Sequence, residues 1–165
     1  MKVFVLRHGI TSEADTDESR ELSTTGIAEV EAVVNRHLDE LSNVRQVLCS
    51  PMPRVQATVN LALNLMGYEG DISLSDDFST GSRLKQITRA MAGINPEDGD
   101  LLVSSHQSCT SILVLWLTAE DILIPNGSLL AIEVDEIAYG KGKVLWQDSN
   151  NINEIKRTVN FADQI

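Results

Sequence analysis

At 165 residues the chain fits one ordinary domain, spanning 1–165, that is long enough to bury a single core. Its 42% hydrophobic and 22% charged residues suit a globular protein, and no apolar run approaches the roughly 18 residues of a membrane span. A net charge of −11 argues against non-specific binding to nucleic acid or acidic lipid, both polyanions, so any anion must be held by a local cluster.

The chain opens with "KVFVLR", residues 2 to 7, a continuous apolar run suited to a strand buried on both faces of a parallel sheet. That start is too short for the roughly 7 to 15 residue core of a secretory signal, so a cytoplasmic location is expected. "LSTTG" then leads into "IAEVEAVVNRHLDEL", where Ile27, Val30, Val33, Val34, Leu38 and Leu41 recur at helical spacing behind a cap near Ser23 to Thr25. "RQVLCS" at 45 to 50 is a second strand, and "PRVQATVNLALNLMG" a helix with proline in its first turn and a stop at Gly67.

The rhythm continues with "DISLS" as a short third strand and "SRLKQITRAMAG" as a helix. "DLLVSS" at 100 to 105 is a fourth strand, and "QSCTSILVLWLTAED" the helix after it. "SLLAIEV" and "GKVLWQ" read as two strands paired around "YGKG", and the tail from Ser149 to Ile165 as a surface segment. Strands alternating with helices predict a single three-layer α/β domain, a mostly parallel sheet with helices on both faces.

The polar groups that interrupt this pattern fall at equivalent places. Arg7 and His8 end the first strand, Ser50 and Arg54 follow the second, and Ser105 and His106 end the fourth. The carboxyl edge of a parallel sheet is where ligand crevices form, so these groups are expected to converge. Guanidinium forks match phosphate oxygens, and no acidic ligand set accompanies the histidines to suggest a metal. A neutral imidazole can attack phosphorus, and neighbouring arginines disfavour its protonation; His8 and His106 both qualify. Arg7, Arg54 and the second imidazole would stabilise the equatorial oxygens, and Gly9 would let the backbone pass close to the phosphate.

"LRHG" at 6 to 9, "SPMPRVQAT" at 50 to 58 and "SSH" at 104 to 106 resemble, in order and spacing, the motifs of the histidine phosphatase superfamily. The resemblance runs from the first strand to "VLWQ", and the compact length is similar to the SixA-type phosphohistidine phosphatases within it. It implies a phosphoglycerate mutase-like fold, His8 as the nucleophile that becomes phosphorylated, and Arg7, Arg54 and His106 as the rest of a catalytic phosphate pocket. Substrate contacts are expected from Arg7, Gly9, Thr11, Arg54, His106 and Gln107. The family's general acid would fall at Asp76 or Asp77 in "LSDDFSTG". No metal or other cofactor is implied. Glu13 and Ala14, and Val55 and Ala57, depart from residues common in the family and weaken assignment to its sugar-phosphate mutases and metabolite phosphatases.

The function this implies is a metal-independent phosphatase, acting on phosphohistidine carried by a signalling or phosphotransfer protein. A small-molecule phosphomonoesterase with the same pocket is the second reading, and a silent phosphate or phosphoprotein binding module the third. A monomer without nucleic-acid or membrane partners is expected. Cys49 and Cys109 are expected as buried free thiols, with Cys109, in the first turn of a helix, open to a lowered pKa and an oxidation switch. His37 is expected to face solvent or cap a local contact, Arg20 to form an exposed ion pair, and Arg83 and Lys85 to be a solvated helix start. Trp116 is expected in the core.

Overall fold

The computed structural model describes residues 1–150 and forms one six-stranded sheet in the order β3-β2-β4-β1-β5-β6. The strands are β1 (Lys2–Arg7), β2 (Val44–Cys49), β3 (Ser73–Leu74), β4 (Asp100–Ser105), β5 (Leu129–Val134) and β6 (Gly142–Asp148). The helices are α1 (Thr24–Arg36), α2 (Leu38–Leu41), α3 (Pro53–Met66), α4 (Leu84–Met91) and α5 (Gln107–Thr118). The expected surface tail lies outside the described residues apart from Ser149 and Asn150.

β1, β4, β2 and β3 run parallel, β5 is antiparallel to β1, and β6 is antiparallel to β5. The apolar runs of the central strands split by alternation. Val3, Val5, Leu101 and Val103 pack with α4 and α5, while Phe4, Leu6 and Leu102 pack with α1 and α3. Covering both faces is what permits every residue of β4 to be buried, its two terminal serines included. Each large apolar side chain taken fully out of water contributes about 1.5–3 kcal/mol.

Local chemistry sets the helix ends. The Ser23 hydroxyl caps α1 by accepting from Gly26 N–H at 3.0 Å. Pro53 begins α3, and Gly67 ends it in the left-handed conformation at φ 62°.

Several expectations need correction. The predicted helix over 27–41 breaks at His37, which ends α1 at φ −121°. Its ring is not presented to solvent: it stacks on Trp146 at 3.8 Å, while Nε2 meets Asp148 at 2.9 Å and Nδ1 meets Glu40 at 3.2 Å. Ile27, the first residue of the apolar helical spacing, is 39% exposed. The third strand shrinks to Ser73–Leu74 at one edge of the sheet, and α5 stops at Thr118 before "AED". Among the described residues no helix is long and apolar enough to cross a membrane.

At Gly9 the space a side chain would need is taken by α1 and Leu22. A Cβ there would lie 2.9 Å from the Gly26 carbonyl and 3.1 Å from Val30 Cγ2, and one on Gly26 would lie 2.1 Å from the Ile10 carbonyl oxygen. These glycines let α1 seat directly on the chain leaving β1. Gly26→Ala gains up to about 1 kcal/mol of helix propensity, but it drives a side chain into backbone that cannot swing aside. A net loss of about 2 kcal/mol is expected in urea denaturation; an unchanged midpoint would show that α1 is free to shift.

Candidate active site

Strand register brings the scattered groups together. Arg7 lies beside Ser105 and Cys49 beside Ser104, so β1, β4 and β2 end side by side. The residues that follow, His8, His106 and the Ser50 to Arg54 turn, therefore share one rim. His8, His106 and Arg54 line a cavity of ≈ 620 Å³ with Arg7, Asp17, Arg20, Gln107 and Asn126 among its walls. α3 and α5 both start at this rim, Arg54 being the second residue of α3 and His106 the residue preceding α5. Helix amino ends carry partial positive charge, which adds to the arginines in favouring an anion.

The tip of β1 is held by backbone contacts on both sides. His8 N–H donates to the Ser105 carbonyl at 3.2 Å, and Arg7 N–H to that of Ser128 at 3.1 Å. The His8 carbonyl accepts from Gly127 N–H at 3.0 Å and Asn126 Nδ2 at 3.2 Å. Arg7 Nη1 donates to the Ile124 carbonyl at 2.7 Å, which aims its guanidinium from below the rim.

The two imidazoles are 5.5 Å apart, edge to face, and nearly buried at 8% and 5% exposure. Their hydrogen bonds give them different tautomers. His8 Nδ1 lies 2.8 Å from the Gly9 carbonyl, which can only accept, so the proton sits on Nδ1 and the lone pair on Nε2. His8 Nε2 has no hydrogen-bond partner among the described residues. His106 Nδ1 accepts from Arg54 Nη2 at 3.3 Å, leaving its proton on Nε2, which faces Ser50 Oγ at 3.1 Å. Both nitrogens of His106 are engaged; one nitrogen of His8 is open.

Burial, followed by the charges of Arg7, Arg54 and Arg20, pushes the His8 pKa down to about 4 against a partly opposing Gly9 carbonyl. His106 is pushed down to about 4 by burial and then by Arg54. Unfolded imidazoles bind protons near pH 6.5, whereas these resist until about 4, so acid over that window draws the chain toward the unfolded state. Resistance to urea should be full above pH 6.5 and fall toward pH 4, by roughly 1 kcal/mol per pH unit for each imidazole. A His8→Gln variant is expected to show about half that slope; equal slopes would contradict the assignment.

Arg54, 5% exposed, is the hub of the site. Its Nη1 donates to the Asp17 carbonyl at 2.7 Å and its Nη2 to the Asp17 carboxylate at 2.9 Å. Arg20, read from sequence as an exposed ion pair, does approach Asp17 at 3.7 Å, but it also lines the cavity. Asp17, Asn126, Thr80, Ser108 and Ser111 are wall residues that the sequence did not single out.

Other expected residues fall elsewhere. Asp77 is held by Arg89, with Nε at 2.8 Å from the carboxylate, and neither Asp76 nor Asp77 lines the cavity. Thr11 pairs with Leu22 across the base of the following loop and is also off the wall, whereas Gln107 is on it. Cys109 is fully buried, with its thiol toward the Ser79 carbonyl at 3.2 Å, and burial raises its pKa rather than lowering it. That removes the physical basis for a reactive thiolate. Burial likewise pushes the Cys49 thiol up to about 12. Among the described residues no group of three or more His, Cys, Asp or Glu is placed to hold a metal ion.

No protein-family model matches the chain, and no curated protein matches it in sequence. Solved structures do. The protein histidine phosphatase SixA, solved with tungstate, superposes with a TM-score of 0.80 at 24% identity, over 90% of this chain and 97% of SixA. The α-ribazole phosphatase of Shigella flexneri gives 0.68 at 17% identity, covering 87% of this chain and 94% of its own. A phosphoserine phosphatase of Entamoeba histolytica, solved with 3-phosphoglyceric acid, gives 0.63 at 14%, covering 91% and 98%. The chain thus has the histidine phosphatase, phosphoglycerate mutase-like fold that its arginine-histidine-glycine and serine-proline-x-x-arginine motifs imply.

Proposed function

We propose that this protein is a phosphatase that transfers a phosphoryl group to His8 and then to water, with phosphohistidine on a signalling or phosphotransfer protein of the cytoplasm as its substrate. The observation that carries the reading is the open, unprotonated Nε2 of His8 beside Arg7 and Arg54. In the first step Nε2 bonds to phosphorus in line with the departing group, whose bond breaks with its electron pair. The imidazole becomes cationic, and its Nδ1–H then donates more strongly to the Gly9 carbonyl. Water attacks phosphorus in the second step, the N–P bond breaks, and inorganic phosphate leaves. Arg7 and Arg54 hold the equatorial oxygens, and Ser50 fixes the ring of His106 against Arg54.

Three features favour phosphohistidine. Imidazole has a reference pKa near 6.5 and leaves phosphorus far more readily than an alkoxide. Asp76 and Asp77 stand away from the cavity, and Asp17, the one carboxylate on the described wall, is ionised on Arg54 until a phosphoryl group takes that guanidinium, so a leaving group that needs little proton donation suits the site best. The rim is also accessible, Asp17 and Arg20 being 47% and 44% exposed, as docking of a protein-borne group requires. SixA, whose fold the chain shares, is described as a protein histidine phosphatase. A small-molecule phosphomonoesterase is the second reading, favoured by the same fold in the α-ribazole and phosphoserine phosphatases.

The test compares kcat/KM on a phosphorylated histidine-containing phosphotransfer domain with a panel of sugar and amino-acid phosphates. Faster turnover of the protein supports the first reading. Faster turnover of a metabolite moves the assignment to the second, and phosphate binding without any turnover reduces the protein to a binding module.

A further inference from the structure

The loop between β1 and α1 is closed at its base, where Thr11 bridges Leu22 and Ser12 N–H donates to the Glu21 carbonyl at 2.9 Å. Within it the Thr16 and Ser19 hydroxyls bond at 3.0 Å, and Arg20 N–H reaches the Asp17 carbonyl at 3.4 Å. A loop tied in this way delivers its side chains to fixed places. Of its acidic residues only Asp17 reaches the cavity, and among the described residues it is the only carboxylate on the wall. Arg54 grips both its carbonyl and its carboxylate. The carboxylate therefore stands one guanidinium away from the place where phosphate oxygens would bind, and at 47% exposure it has room to swing.

We propose that Asp17 is the general acid and base of the reaction, protonating the leaving atom in the first step and taking a proton from the attacking water in the second. This deepens the phosphatase reading and rests on it. In the open site the hydrogen bond from Arg54 holds the Asp17 carboxyl below the usual carboxylate range, against a partial opposition from burial. A bound phosphoryl group reverses the balance, because its oxygens take the guanidinium donors and its negative charge comes to lie beside the carboxylate. The acid acquires its proton from solvent or from the substrate monoanion, since phosphate esters titrate near pH 6.

For an ester, His8 Nε2 bonds to phosphorus as the bond from phosphorus to the leaving oxygen breaks. The electron pair stays on that oxygen and the Asp17 proton neutralises it. The Asp17 carboxylate then accepts a proton from water while the water oxygen bonds to phosphorus. The N–P bond breaks, its pair returns to Nε2, and Asp17 is again protonated.

The test measures kcat/KM for the wild type, Asp17→Asn and Asp17→Ala on phosphate monoesters ranging from 4-nitrophenyl to alkyl leaving groups. Asparagine keeps an acceptor for Arg54, so the loop stays in place while the proton is lost. Asp17→Asn is expected to lose about 10²–10⁴-fold on the alkyl ester and at least about tenfold less on the aryl ester, steepening the leaving-group dependence. Parallel losses across the series would overturn the role, since a residue that only shapes the loop affects all esters alike. A gain on every ester would also overturn it, showing that Asp17 merely competes with phosphate for Arg54. A wild-type protein inert toward the whole series and toward a phosphorylated histidine-containing protein strikes at the phosphatase reading and takes this role with it, whereas a wild type active on the phosphorylated protein but inert toward every ester, or active on esters with parallel losses in the variants, sinks Asp17 alone.

Discussion

Replacing His8 with alanine is expected to lower kcat on an aryl phosphate by about 10⁴-fold or more, with circular dichroism and thermal melting near those of the wild type. The size follows from the absence of a substitute nucleophile. His106 is the nearest imidazole, but Arg54 occupies its Nδ1 and Ser50 faces its Nε2, so turning it toward phosphorus would break both contacts. The fold should survive because the side-chain hydrogen bond of His8 is to the carbonyl of the adjacent Gly9, and the tip of β1 is secured by backbone groups. Free imidazole added to the truncated site provides a second check. Partial recovery would show that the pocket still binds and aligns phosphate without a covalent anchor. A residual rate within tenfold of wild type would assign the nucleophile elsewhere.

Arg54→Ala is expected to cost about 10³-fold in kcat/KM, and Arg54→Lys still about 10²-fold. This guanidinium contacts Asp17 through Nη1 and Nη2 and His106 through Nη2 as well, so alanine removes a phosphate donor and at once releases a loop and a ring. Lysine restores the charge but not the fork; a single ammonium cannot donate to the carbonyl, the carboxylate and Nδ1 in that geometry. Both kcat and KM should worsen, because the lost contacts act in the ground state as well as the transition state. Full activity in Arg54→Lys would mean that a point charge suffices and that the fork geometry has no role.

The parts of the molecule legible in the sequence are those fixed by local pattern. β1, β2 and β4 read clearly because their buried stretches are the apolar runs at residues 3–6, 47–49 and 101–103, each ending just before the polar groups of the rim. Their convergence followed from the rule that parallel strands share a carboxyl edge. Distant partners were not legible. His37 makes the expected local contact, to Glu40, but Trp146 and Asp148, more than a hundred residues later, add a stacking surface and a second carboxylate. Nor does the sequence reveal that Gly26 packs against Gly9.

The acid shows the limit most plainly. Asp76 and Asp77 sit at the chain distance the family resemblance implies, yet Arg89, on the next helix, takes the carboxylate of Asp77. Asp17 was hidden among the acids of "EADTDESRE", where composition reads as a solvated run and only the closure of the loop selects one residue for the wall.

The most direct measurement is a rapid quench in base after mixing the protein with a fast aryl phosphate, followed by peptide mapping for acid-labile phosphate. Phosphate on Nε2 of His8, formed and discharged at rates that match turnover, is the result expected. Phosphate on His106, or steady turnover with no phosphorylated histidine at any time point, would contradict the account.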